Sequence, residues 1–167
     1  MPNIATISNH KTGMAIIRRA EFPTDSPAVL SIWREFIASS PVNLDYQNNA
    51  VEFATFTEKY AAPKGCVLLA ETDDGVVGCV AMRQVTPALC EMKRLYVRPN
   101  ARGEHVGREL AERLIAEARA AGYREMRLDV QAKFLAARKL YADLGFVPAE
   151  PISFNPVPGA SFLGLHL

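Results

Sequence analysis

The chain has 167 residues, of which 49% are hydrophobic, and its mean hydropathy of +0.01 is that of an ordinary globular protein. That length holds one domain with a real core but not two full ones. A net charge of +1, from 19 Lys and Arg against 18 Asp and Glu, gives no global electrostatic case for nucleic acid or a membrane surface.

No apolar run approaches the ~20 residues of a membrane helix. MPNIATISNHKTG lacks a basic stretch followed by an apolar one, so no signal peptide is expected and a cytoplasmic location is. Residues 1–13 are polar and without periodicity, as in a flexible N-terminal arm, which leaves one domain over 14–167. Ala15 to Ala20 is a first strand. Thr24-Asp25-Ser26-Pro27 offers capping side chains and a first-turn proline, and Val29, Leu30, Ile32, Trp33, Phe36 and Ile37 give the helix behind it an apolar face to about Ala38. The turn-rich SSPVNLDYQNN follows, then a second helical pattern from about Ala50 to Tyr60, broken by Ala62-Pro63-Lys64-Gly65. Cys66 to Glu71 and Val76 to Gln84 form a hairpin around Thr72-Asp73-Asp74-Gly75.

After a break at Pro87-Ala88, Glu91 to Val97 reads as a strand. Simple alternation puts Glu91, Lys93, Leu95 and Val97 on one side, and Met92, Arg94 and Tyr96 on the other. Pro99-Asn100 ends it. The long helix beyond carries Leu110, Ala111, Leu114, Ile115 and Ala118 as one buried stripe, and Gly122 stops it. Between strand and helix lies Arg102-Gly103-Glu104-His105-Val106-Gly107-Arg108. A helix start offers unpaired N–H groups and partial positive charge, two glycines allow close approach, and two arginines add charge, so the stretch suits a phosphate. A glycine-eased turn with solvated arginines explains the same residues. The pattern is neither a Walker A loop nor a full dinucleotide fingerprint.

LYVRPNARGEHVGRELAERLI is similar to the central motif of the GCN5-related N-acetyltransferase (GNAT) superfamily, in which a strand ending in hydrophobic-Tyr-Val-x-Pro is followed by Arg/Gln-x-x-Gly-x-Gly/Ala. Arg102 and Gly107 match the first and last motif positions, and His105 stands where the family usually has its middle glycine. The resemblance implies that the loop amides of residues 102–108 hold the pyrophosphate of acetyl-CoA, with CoA as product. It also implies that Leu95, Tyr96 and Val97 pair with the pantetheine arm. If position 105 needs a positive φ, histidine is strained there.

LDVQAKFLAARKLYADLGF resembles the family's later motif, with Val130, Ala137, Leu140, Tyr141, Gly145 and Phe146 in register and Phe134 in place of the usual asparagine. The resemblance makes Tyr141 the general acid at the CoA sulfur, and a phenol of ordinary pKa near ~10 does hold its proton at neutral pH. Glu91 matches the position of a glutamate base in the histone-acetyltransferase branch; a surface ion pair with Lys93 or Arg94 is the plainer reading, and family members also work through water chains. Further expected elements are a strand at Arg127 to Val130, a helix from about Lys133 to Leu144, a strand at Phe146-Val147 and a last one at Ser161 to Leu167. The order β-α-α-β-β-β-α-β-α-β fits the GNAT pattern from about Ala15 onward, so the implied fold is one α/β domain with a mixed, mostly antiparallel sheet flanked by helices.

The expected activity is acetyl transfer from acetyl-CoA to a primary amine, of a small molecule rather than a protein because no acidic run suggests a docked basic tail. Direct attack is favoured over a cysteine nucleophile, since neither Cys79 nor Cys90 has a base nearby in sequence. Asn43, Asp45 and Tyr46 are the natural acceptor-side residues by family analogy, and Phe154 to Ser161 the other wall. Asp45, Glu52 and Glu58 could receive a cationic amine, though plain solvation is their usual role. Cys66, Cys79 and Cys90 read as buried thiols and the histidines as scattered, so no metal is expected. A homodimer is compatible with this reading; nucleic acid has only Arg102 and Arg108 behind it. The alternative function is a non-catalytic CoA-binding sensor or interaction module, to which His105 and Phe134 point and which Tyr141 and Glu91 oppose.

Overall fold

The computed structural model describes residues 14–41, 43–44 and 48–167; the expected arm over 1–13 and the acceptor-side Asp45 and Tyr46 lie outside them. Seven strands form one sheet in the order β1-β2-β3-β4-β5-β7-β6. They are β1 Ile16–Arg19, β2 Cys66–Thr72, β3 Gly75–Thr86, β4 Leu89–Val97, β5 Glu125–Val130, β6 Val147–Pro148 and β7 Ser161–His166. Four helices accompany them: α1 Ser26–Ser39, α2 Asn49–Lys59, α3 Val106–Ala120 and α4 Leu135–Asp143. The pair β4–β5 is parallel and every other pair is antiparallel, as expected for this sheet.

Alternation along the central strands gives each face of the sheet its own core. One face packs Leu68, Val80, Met82 and Met92 against Leu110, Leu114 and Ala118 of α3, with Tyr141 and Phe146 at its far end. The other packs Val67, Leu69, Cys79 and Ala81 against Val29, Ile32 and Trp33 of α1 and Phe56 of α2. Trp33 meets Phe56 and Tyr60 edge-on at 5.5 and 5.3 Å. Each large apolar side chain fully buried in these layers contributes about 1.5–3 kcal/mol.

Simple alternation fails in β4. Ala81 pairs with Lys93 and Cys79 with Tyr96, so β4 spends one more residue than β3 over the same span. The extra residue is Arg94, at φ +62°, which makes a β-bulge. Met92, Leu95 and Val97 therefore share the α3 face, while Glu91, Lys93, Arg94 and Tyr96 turn toward α1 and α2. Glu91 is thus not on the side of Leu95 and Val97.

The second feature that shapes the site is how briefly β4 and β5 run together. Only Leu89–Glu91 pair with Glu125–Arg127. Beyond them Met92 to Leu95 and Asp129 to Gln131 border a cavity instead of a ladder. The backbone of β4 on that edge is left without a strand partner.

Candidate active site

The segment from Val97 to Gly107 is set by its backbone. Pro99–Ala101 form one 3-10 turn, Gly103 takes φ +85°, and His105 takes φ +63° as the residue capping α3. Position 105 is thus one of those where a non-glycine residue is strained, by about 1–2 kcal/mol. Glutamate between two left-handed residues gives the alternating backbone hand of an anion-holding nest. No side chain caps α3, and its first backbone bond is from Glu109 N–H to the His105 carbonyl. The amides of Val106, Gly107 and Arg108 consequently have no partner within the helix.

Val106 and Gly107 border a groove of about 840 Å³ that runs from the end of α1 to α4. The volume lies within the range of about 300–1,000 Å³ usual for ligand sites. Leu95, Tyr96, Val97, Arg102, Gly103, His105, Val106, Gly107 and Phe134 all line it. Glu104 and Arg108 do not; both are exposed, and Arg108 Nε donates to Glu112 one turn on at 2.8 Å. Arg102 folds back, its Nε donating to the Val97 carbonyl at 2.8 Å and its guanidinium lying 5.6 Å from the centre of the Tyr96 ring. Tyr96 is tied to α1 through a 3.1 Å hydrogen bond to Glu35. The residues present fit an elongated ligand with an anionic end: uncapped amides, alternating backbone hand and an open strand edge lie along one groove.

At its inner end the groove meets a small cavity of about 70 Å³ between β4 and β5. Tyr141 lines this cavity, 7% exposed, with its ring 5.7 Å from that of Phe146. Its hydroxyl has no hydrogen-bond partner among the described residues. Burial first, and the Asp129 carboxylate second, push the phenol well above its ordinary pKa, so it keeps its proton at any physiological pH. Phe134 precedes α4 rather than lying within it, at φ −84° and ψ 66°, and its side chain borders both spaces. The helix starts two residues later than its periodicity suggests.

Glu91 is placed differently. It is 2% exposed, accepts from Arg83 Nε at 2.7 Å across the β3–β4 pair, and lines neither space. Its partner is neither Lys93 nor Arg94. Those two cations turn instead to Glu52, which is 3% exposed rather than solvated and also accepts from the Tyr60 hydroxyl. Burial opposes its charge, but Lys93 and Arg94 prevail and hold its pKa at about 2. Glu58 is exposed, as expected. Residues that motif reading passed over are Lys93, Arg94, Asp129 and Gln131 around the cavity and Phe36 of α1 between cavity and groove. Asp129 had a signal, since it alternates with Leu128 and Val130 and so leaves the α3 face; Phe36 had none beyond its apolar stripe.

The three thiols are buried, and burial raises Cys66 to about 11 and Cys79 and Cys90 to about 12, which removes them as nucleophiles at neutral pH. Among the described residues no group of His, Cys, Asp or Glu is placed to hold a metal ion, and no helix is long and apolar enough to cross a membrane.

Comparison with known proteins accords with this geometry. An uncharacterized N-acetyltransferase of Schizosaccharomyces pombe is 35% identical over 153 residues, 90% of this chain and 94% of its own length. The IAA acetyltransferase of Azospirillum brasilense is 36% identical over 105 residues, 62% of this chain and 69% of its own. A GNAT acetyltransferase structure from Staphylococcus aureus superposes with a TM-score of 0.76 at 16% identity, over 91% of this chain and 98% of that one. A Salmonella typhimurium protein solved with its cofactor acetyl-CoA does so at 0.68 and 22% identity, over 92% and 94%. The model of the acetyltransferase (GNAT) family matches residues 29–146, which takes in both cores, the groove and Tyr141, and the chain belongs to that family as an N-acetyltransferase.

Proposed function

We propose that the chain moves an acetyl group from acetyl-CoA to a primary amine of a small molecule, by direct attack within a ternary complex. One observation carries this reading: Phe36, Leu95, Phe134 and Ala137 border both the groove and the Tyr141 cavity, so the anion-binding amides and the proton donor share one continuous space. The cavity of about 70 Å³ beside Tyr141 is where the reacting groups meet.

Bound acetyl-CoA supplies an acetyl group activated as a thioester. The unpaired amides of Val106 and Gly107 and the left-handed backbone at Gly103 and His105 would hold its phosphates. The open edge of β4 offers backbone partners to its amide arm, and an amide near Leu95 to Val97 polarises the reacting carbonyl. Phe134 packs where a polar contact is usual, so the arm is held there by apolar contact. Tyr141 keeps a proton at the cavity until the sulfur needs it. Glu91, fixed by Arg83 and outside the cavity, takes part only through intervening water.

The test is thiol release from acetyl-CoA with a panel of primary amines. Tyr141→Phe should lower kcat by about 10²-fold or more, the usual weight of a general acid, while acetyl-CoA binding is kept. Glu91→Gln should lower it by less. Full turnover in Tyr141→Phe would sink the assignment.

A further inference from the structure

The cavity beside Tyr141 has walls of opposite charge. Lys93 and Arg94 stand on its β4 side and Asp129 on its β5 side. Behind the β4 wall a single carboxylate, Glu52, serves both cations, at 2.6 Å from Arg94 Nη2 and 3.6 Å from Lys93 Nζ. Lys59 and Arg83 add two more cations on this face and Glu91 one carboxylate, so among the described residues four cations meet two carboxylates. The field is felt: burial first and Lys93 next lower the pKa of Lys59. Arg94 also has Nε and Nη1 buried with no hydrogen-bond partner among the described residues. Its guanidinium lies against the Trp33 and Phe53 rings, at 5.4 and 6.0 Å, and is 1% exposed, so Lys93, at 14%, is the cation of this wall that a ligand can reach. On the facing wall Asp129 Oδ2 accepts from Asn155 Nδ2 at 2.8 Å, which holds the carboxylate at the cavity edge.

We propose that the acceptor is a small zwitterion, an amino acid in the broad sense, whose carboxylate lies against Lys93 and whose amine lies against Asp129 beside Tyr141. This rests on the reading of the chain as an acetyltransferase of small amines and adds the acceptor's second charge. The anionic group neutralises the surplus cation of the β4 wall, and Asp129 is the counter-ion of the ammonium before it reacts. Transfer forms one N–C bond and breaks one C–S bond. Of the three ammonium protons one stays on nitrogen, the thiol gains one, and one is released. The acetylated nitrogen is neutral and the product is an anion, so its attraction to Asp129 is lost and it is free to leave.

The experiment uses the full chain, saturating acetyl-CoA and matched triplets: glycine, alanine, serine and leucine, each with its amide and its decarboxylated amine, compared at equal free-amine concentration. The expected result is a kcat/KM at least tenfold higher for the acid than for both partners in at least one triplet, seen mainly in KM. Lys93→Met should bring that ratio close to one, and Lys93→Arg should retain most of it. Should plain amines match or exceed their acids in every triplet, the zwitterion is wrong while the proposed function stands. Should no member of any triplet be acetylated, both fall together. The wild-type ratios decide the matter even if a Lys93 variant folds poorly.

Discussion

His105 is the residue at which sequence and backbone disagree. It occupies φ +63° where the related motif has glycine, so the imidazole is held in a conformation that an L-residue adopts at a cost. His105→Gly should remove that cost of roughly 1–2 kcal/mol, offset by the ~0.4–1 kcal/mol that glycine adds to the entropy of the unfolded chain. The net gain, from zero to about 1.5 kcal/mol, corresponds to a melting temperature higher by up to about 3–6 °C in a domain of this size. Differential scanning calorimetry of the variant checks it; a lower melting temperature would mean that the imidazole makes contacts worth more than the strain. The strain was legible in the sequence as a condition, because histidine stands at a glycine position, but only the backbone shows that the condition is met. Tyr141 was placed on its helix by its spacing from Ala137 and Gly145, its role came only from the resemblance, and its burial beside the cavity is seen in the structure alone. Glu91 was legible as a strand carboxylate and not as a buried partner of Arg83, since the pairing depends on β3 register.

Strand β4 shows what element-level reading can and cannot reach. Its position and limits follow from β-type residues between Pro87 and Pro99. Its faces do not, because a left-handed arginine carries no sequence mark of the kind a glycine would. The bulge turns Arg94 onto the same side as Lys93, and α2 answers with Glu52. This tie between α2 and β4 governs acid stability. The folded pKa of Glu52, about 2, lies below its ordinary 4.5. The stabilisation is therefore complete above about pH 4.5 and fades as pH falls toward 2, amounting to about 3 kcal/mol if the whole shift is realised. Asp25, lowered to about 2 chiefly by its hydrogen bond with Arg18, adds to the loss in the same window. Urea unfolding at pH 7 and pH 3 measures it, and Glu52→Gln should remove much of the difference. That variant should also cost about 3–5 kcal/mol at neutral pH, since it strands two buried cations. An unchanged pH 7 stability would show that water already satisfies Lys93 and Arg94.

For the molecule as a whole, element order was readable from hydrophobic period and turn residues, while the mixed sheet flanked by helices was what the resemblance implied. The crevice was not readable, since parting β4 from β5 after three residues is a property of the sheet and not of either strand. That parting is also why the ligand couples to global stability. The groove is bordered by Phe36 from the α1 core, by Val106 from the α3 core and by Leu140 of α4, so a molecule filling it bridges both cores across the gap in the sheet. Acetyl-CoA at ~100 times its dissociation constant should add roughly 2.7 kcal/mol, an upward shift of about 5 to 11 °C for a domain of this length. The shift should rise with the logarithm of acetyl-CoA concentration. It should survive in Tyr141→Phe, which leaves the groove intact, and shrink in Gly107→Glu, which puts a carboxylate among the α3 amides. The same loss of shift in both variants would place the ligand at the cavity and not on the helix start. No shift in the wild type at millimolar acetyl-CoA would mean that strain at His105 and the apolar Phe134 have closed the groove to it.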